Sequence, residues 1–437
     1  MSNMDFWVFT HSNARLEHWL ERYRERFDAW EEGGVSGIVV GYLRFQESDG
    51  PAPVFAPDPK VYEERGELPP EVERRNPEKE KQLRAMLDDA AGRGWRIMTF
   101  GGATSPAALQ DLANALPQVQ GVISDGPGEN HYELAFHHGS ELLELQKDQR
   151  TSLEPAGADP DRVQRGVEHL RRRLHNLTPD LVRYHGAGGT LAGLQLFDIN
   201  EDVLHWLRAR QARSRQIWKS LRESVDSVDR KLQLGGIPRT AAFSSLTGQN
   251  YQQMPQYFDI LFPKHYYWHR GYDGMYGTIA RWVQRLQKWN PTLTEPDCFS
   301  VVESLFGIKL PGVQSLMDME MGFPDEFFTD VVYAETKRAL EAIGDLDKVI
   351  CWVSTGRSPH AGDAMTARDL HGILTASQQA GLKRFLFHPD PDLGAPEWLV
   401  LSGMCGNLWK EDPDGPYWPS DTLKPDNFSN RKPTYED

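Results

Sequence analysis

Gly121-Val122-Ile123-Ser124-Asp125-Gly126-Pro127-Gly128-Glu129-Asn130-His131-Tyr132-Glu133 is the stretch around which the chain is organised. Gly121 to Ser124 is a short apolar run of the kind that forms a buried strand. It stops at Asp125. Gly126-Pro127-Gly128 then force a turn, because proline fixes φ and glycine accepts positive φ. Glu129, Asn130, His131, Tyr132 and Glu133 follow at once. Folding alone does not require so many ionisable groups at one strand exit. In a barrel of parallel strands, the C-terminal strand ends carry the chemistry. A plain solvated loop would need only Asp125, as a cap on the turn.

Outward from this stretch, the pattern predicts seven more strands. They are Asp5–Thr10, Gly37–Leu43, Arg96–Phe100, Leu232–Pro238, Tyr257–Phe262, Lys348–Val353 and Lys383–Phe387. Between them lie amphipathic runs with helix start signals. Ser105-Pro106 and Asp159-Pro160 each offer an N-cap followed by a first-turn proline. Further helices are expected over Arg15–Glu31, Glu80–Ala91, Glu201–Lys231, Tyr276–Lys288, Phe327–Ile343, Thr366–Ala380 and Pro396–Met404. Eight strands alternating with helices predict an α/β fold, a closed (β/α)8 TIM barrel with long insertions in the βα loops. An open doubly wound sheet is the rival, but no Gly-x-Gly-x-x-Gly follows the first strand. Gln46 to Lys79, rich in proline and charge, is expected to run over the barrel mouth. Tyr184 to Thr190 is expected as a glycine-rich loop, without the lysine of a phosphate-binding P-loop. The expected organisation is one barrel domain over residues 1–409 and a tail over 410–437.

The chain has 437 residues, 39% hydrophobic and 25% charged, as expected of a water-soluble globular protein. Its formal net charge of -15 argues against nucleic-acid and anionic-membrane partners, which need basic surfaces. Cys298, Cys351 and Cys405 are far apart and odd in number, so neither a disulfide framework nor a zinc spacing is expected. The N-terminus lacks a basic segment followed by an apolar core, and no run approaches the roughly 18 apolar residues of a membrane helix. A cytoplasmic location is the expectation.

A barrel gathers its strand exits on one face. Here they bring His11, Tyr42, Arg44, Asp125, Glu129, His131, Arg239, Lys264, His265, Ser354, Arg357, His388 and Asp390. The sixth exit, Pro263 to Tyr276, adds five aromatics together with Lys264, His265, His269, Arg270 and Asp273. Aromatic faces suit the C–H faces of sugar rings, and charged neighbours suit hydroxyls. The same aromatics would also serve a lid that merely fills core space.

Asp125-Gly126-Pro127, the long helix leading into Leu232-Gln233-Leu234-Gly235-Gly236-Ile237-Pro238, and the run from Phe262 to Gly271 resemble the bacterial barrels described as glycoside-hydrolase-like. The resemblance spans the first strand through the eighth, and implies a carbohydrate substrate at the strand exits. Many barrels of that type resemble one another in a glutamate at the seventh exit, where this chain reads Ser354-Thr355-Gly356-Arg357.

The leading expectation is a glycoside hydrolase. Cleavage needs a proton donor and a second carboxylate. Glu129 is expected as the general acid and Asp125 as its carboxylate partner, with no cofactor and no metal. His11, His131, Lys264, His265, Trp268, Arg270, His388 and Asp390 are the expected substrate contacts. One alternative is a sugar-binding barrel that does not hydrolyse. Another is a metal-dependent hydrolase using His11, Asp125 and His388, whose side chains are suitable ligands. The oligomeric state is left open.

Overall fold

The computed structural model describes residues 3–10, 16, 19–21, 23–47, 50–71, 75–101, 104–132, 134, 141–145, 153–155, 157–186, 188–267, 274–354, 366–388 and 395–407. Of Ser354 and His388 only the backbone is described. His11, Trp268, Arg270 and Asp390, with the tail from residue 408, lie outside the described residues.

The strands are β1 (Asp5–Thr10), β2 (Val35–Gly41), β3 (Arg96–Phe100), β4 (Gly121–Asp125), β5 (Gln233–Ile237), a β6 in two pieces (Ile260–Leu261 and Lys264–His265), β7 (Cys351–Ser354) and β8 (Arg384–His388). Each pairs in parallel with its neighbours, and β8 returns to β1. The two pieces of β6 close the ring. The first pairs with β5 and the second with β7, and Leu261 bridges Val349 in parallel. Eight parallel strands in a closed ring are the (β/α)8 barrel that the alternation predicts.

The break in β6 has a sequence cause. Phe262 N–H donates to Gly236 O and Lys264 N–H to Pro238 O, both toward β5. Pro263 between them has no N–H to give to β7, so the ladder is interrupted there. Its carbonyl still accepts from Trp352 N at 2.8 Å. The strand therefore runs past the expected end at Phe262 and includes Lys264 and His265.

Side chains alternate between the barrel interior and the helical layer. The interior is aromatic near its top. Phe9 lies 5.1 Å from Phe100 and 4.6 Å from Trp352 between ring centroids, both edge-on. With Tyr266, 5.6 Å from Trp352, these rings form a floor. Lys264 sits above it on the same parity as Phe262 and Tyr266.

The expected caps are in place. Ser105 accepts from Ala108 N, and Asp159 from Asp161 N and Arg162 N. The long helix Glu201–Asp226, capped by Asn200, stops short of the expected Lys231, because the chain needs residues 227–232 to turn into β5. Other expectations need correction. The expected loop Tyr184–Thr190 is helical at both ends: Pro179–His185, with Gly186 as C-cap, and Gly189–Leu196, with Gly188 as N-cap, are helices. The excursion after β2 contains an antiparallel hairpin (Arg44–Glu47 with Gly50–Pro53) and the helix Pro59–Glu64. The helix Glu295–Phe306, started by a Thr294–Asp297 capping box, was not foreseen. Cys298, Cys351 and Cys405 are free and buried. No described helix is long and apolar enough to cross a membrane.

Candidate functional site

Strand parity delivers the site. Ile123 on β4 and Ile237 on β5 point into the barrel, and two residues further along each chain come Asp125 and Arg239. On β6 the same parity gives Lys264. The three side chains meet above the aromatic floor. Lys264 Nζ lies 3.1 Å from Asp125 Oδ1, with Lys264 1% and Asp125 34% exposed. Arg239 Nε donates to Glu129 Oε2 at 2.7 Å. Lys264 Nζ is also 5.6 Å from the ring centroids of Tyr266 and Trp352. Two carboxylates and two buried cations thus form one cluster.

The turn that places Glu129 is strapped from behind. Trp218 Nε1 donates to Pro127 O at 2.7 Å and Ser214 Oγ to Gly128 O at 2.7 Å, both from the long helix. Asn130 Nδ2 reaches Thr247 O at 2.8 Å. Arg210, buried and stacked on Trp206, donates to Leu246 O and to His131 O, joining the exits of β4 and β5. Burial pushes its guanidinium down to about 9. Gln249 holds the Arg239 backbone by accepting from its N–H at 3.0 Å.

Gly126 has φ +51°, and a Cβ built there would lie 2.5 Å from Glu129 Oε2. The Glu129 side chain therefore folds back over its own turn. Gly126→Ala should both strain the backbone and push Glu129 off Arg239. The expected result is a loss of about 1–2 kcal/mol in denaturant unfolding. A variant as stable as the wild type would mean that the turn is not pinned as described.

Burial and the neighbouring Arg239 lower the Lys264 ammonium from 10.5 to about 8, against the opposing pull of Asp125 and Glu129. The folded state thus binds this proton more weakly than the unfolded chain does. The resulting penalty, about 3 kcal/mol, is fully present below about pH 8 and fades as pH rises toward 10.5. Lys264→Met should remove that rise in stability between about pH 8 and 10.5. An unchanged slope would show that Nζ is well solvated.

The expected contacts divide. Asp125, Glu129 and Lys264 come together. His131 is partly exposed on the same loop. His265 has the opposite parity and faces the helical layer, not the mouth. It is 2% exposed, with its ring 5.4 Å from that of Tyr267. Burial pushes it down to about 3, so it stays neutral, and its Nδ1 finds no hydrogen-bond partner among the described residues. Tyr266 and Tyr267, for which a sugar-binding face and a core-filling role were both open, are core residues at 2% and 0% exposure. His388 ends β8 beside Ser354, at the same end of the barrel as Asp125. Among the described residues no group of three or more His, Cys, Asp or Glu side chains could hold a metal ion.

Arg239 was expected at a strand exit but given no role there, and Arg210 was not expected at the site. Arg239 was recoverable from parity, two residues beyond Ile237. Arg210 was recoverable from its i, i+4 spacing between Trp206 and Ser214. Beside the cluster, a cavity of about 240 Å³ is lined by Tyr42, Gly101, Thr104 and Asp125, and also by Leu109 and Leu234, which lie behind β4.

The sequence matches no protein-family model and no curated protein. Among solved structures it is similar to the PgaB (BpsB) glycoside hydrolase domain from Bordetella bronchiseptica, at 10% identity over 92% of this chain and 98% of that one, with a TM-score of 0.41. It is similar to GH5_18 from Streptomyces cattleya in complex with GlcNAc, at 13% identity over 94% and 82%, with a TM-score of 0.40. It is also similar to the HpcH/HpaI aldolase from Desulfitobacterium hafniense, at 9% identity over 89% and 87%, with a TM-score of 0.28. Glycoside hydrolases and an aldolase stand together among these neighbours, and the barrel assignment rests on the chain's own strand pairing.

Proposed function

We propose that the protein is a glycoside hydrolase working at the C-terminal mouth of its barrel, with Asp125 and Glu129 as its carboxylates. The observation that carries this reading is the cluster itself: Asp125–Lys264 and Glu129–Arg239 meet at that mouth, and Asp125 lines the adjoining cavity. Asp125, a third exposed, is the group that faces the scissile bond. Glu129 supplies the second carboxylate, and Arg239 sets its position. Glycoside cleavage requires such a pair, one to protonate the leaving oxygen and one to attack or to activate water. His131, on the same loop, contacts the saccharide.

A second reading is favoured by one feature of the cluster. Both carboxylates are engaged by a cation, which suits a barrel that binds a sugar without cleaving it. Reducing-sugar release from a panel of oligosaccharides, with calorimetry on the same panel, separates the two. Turnover supports the hydrolase. Binding without turnover leaves the sugar-binding barrel, and neither on any saccharide defeats both.

A further inference from the structure

We propose that Tyr42 is the platform of a saccharide subsite, with the C–H face of one pyranose ring on its phenol and the hydroxyl edge of that ring turned toward Asp125. This rests on the carbohydrate reading above. Among the described residues only Tyr42, Leu43 and Asp198 are non-glycine residues with positive φ, and the first two are adjacent, at +54° and +34°. A bulky side chain in the left-handed region is strained, and such strain persists where surrounding structure enforces it, commonly at binding sites. Here Tyr42 N donates to Phe100 O at 2.9 Å, Leu43 N to Gly41 O at 2.8 Å and Val54 N to Leu43 O at 3.1 Å.

The enforced turn leaves the ring in the open. Tyr42 is 44% exposed, although it lies beside the apolar top of the barrel. Its ring rests over Gly101, where a Cβ would come within 3.3 Å of it, and meets Phe100 perpendicularly at 5.3 Å. It lines the same cavity as Asp125. A ring needed only for packing would be buried, and a residue needed only for the turn would be glycine. An exposed phenol lining the same cavity as a carboxylate fits a ligand with one apolar face and one polar edge, as a pyranose has.

The test is calorimetry with the methyl glycosides of glucose, galactose, mannose and N-acetylglucosamine on wild type, Tyr42→Phe, Tyr42→Gly and Tyr42→Asn. Glycine relieves the strain and asparagine tolerates it, so at least one ring-less variant stays folded. The expected result is binding of at least one methyl glycoside by the wild type and by Tyr42→Phe. Tyr42→Gly or Tyr42→Asn should bind it about tenfold more weakly or worse, with a Tm no lower than that of the wild type. Wild-type affinity in the folded ring-less variants would overturn the platform and leave the carbohydrate reading standing. No binding of any of the four glycosides by the wild type would overturn both.

Discussion

Asp125→Asn should lower glycoside turnover by about 10²- to 10⁴-fold, the usual effect of removing an acid or base that works in the transition state. The substitution keeps shape and size, so the protein should stay folded. Asp125 is a third exposed and sits at the very end of β4, beyond the residues that pack the barrel. Its removal does leave Lys264 without a carboxylate at 3.1 Å. That lysine is already poised to discharge near pH 8, so losing the partner moves its titration further down and does not trap a charge in the interior. Loss of turnover with retained binding and a retained fold is the expected signature. Full turnover in Asp125→Asn would remove Asp125 from the reaction.

Arg239→Met should destabilise the protein by about 3–5 kcal/mol, as removal of one partner of a buried ion pair does. Arg239 is 5% exposed and Glu129 13%, so the orphaned carboxylate would have little water to turn to. The backbone of residue 239 would stay where it is, because Gln249 and Tyr251 hold its N–H and carbonyl whatever the side chain. The loss therefore reports the pair and not a collapsed loop. Arg239→Met combined with Glu129→Leu should recover most of the stability, since replacing both members of a buried pair is far cheaper than removing one. Arg239→Met should also raise the Lys264 titration above about 8, because Arg239 is one of the groups holding it down. Denaturant unfolding of the two single variants and the double variant measures the coupling. A single variant within about 1 kcal/mol of wild type would class the pair with solvated surface bridges.

The barrel was legible because its strands are short apolar runs ended by glycine, proline or a charge, as at Ile123-Ser124-Asp125-Gly126. What escaped has a local physical cause in each case. Pro263 reads as a strand terminator, yet an isolated proline costs only one ladder bond, so Lys264 and His265 belong to the strand and take opposite faces. That alternation decides the site: it sends Lys264 into the mouth and His265 behind it, which a sequence list of strand exits could not separate. Glycine-rich runs suggest loops, but Gly186 and Gly188 cap helices at ordinary negative φ, -65° and -85°, while Gly189 takes the positive φ, +76°, that favours glycine. Tyr42 and Leu43 read as the last residues of β2 because aromatic and aliphatic side chains favour strands. Nothing in the pattern reveals that the strand stops at Gly41 and that both residues take positive φ. The pairing of Glu129 with Arg239 joins residues 110 positions apart, which the direct parallel pairing of β4 with β5 brings together.

The central claim is that a saccharide is held at this mouth with its scissile bond at Asp125. The most direct measurement is a crystal structure of Asp125→Asn grown with the oligosaccharide that the wild type turns over or binds best. The expected structure has a glycosidic oxygen or anomeric carbon about 3 Å from the side chain of residue 125, beside Lys264 and Arg239. A saccharide seated elsewhere on the protein, with the mouth empty at a concentration that saturates binding in solution, would contradict it.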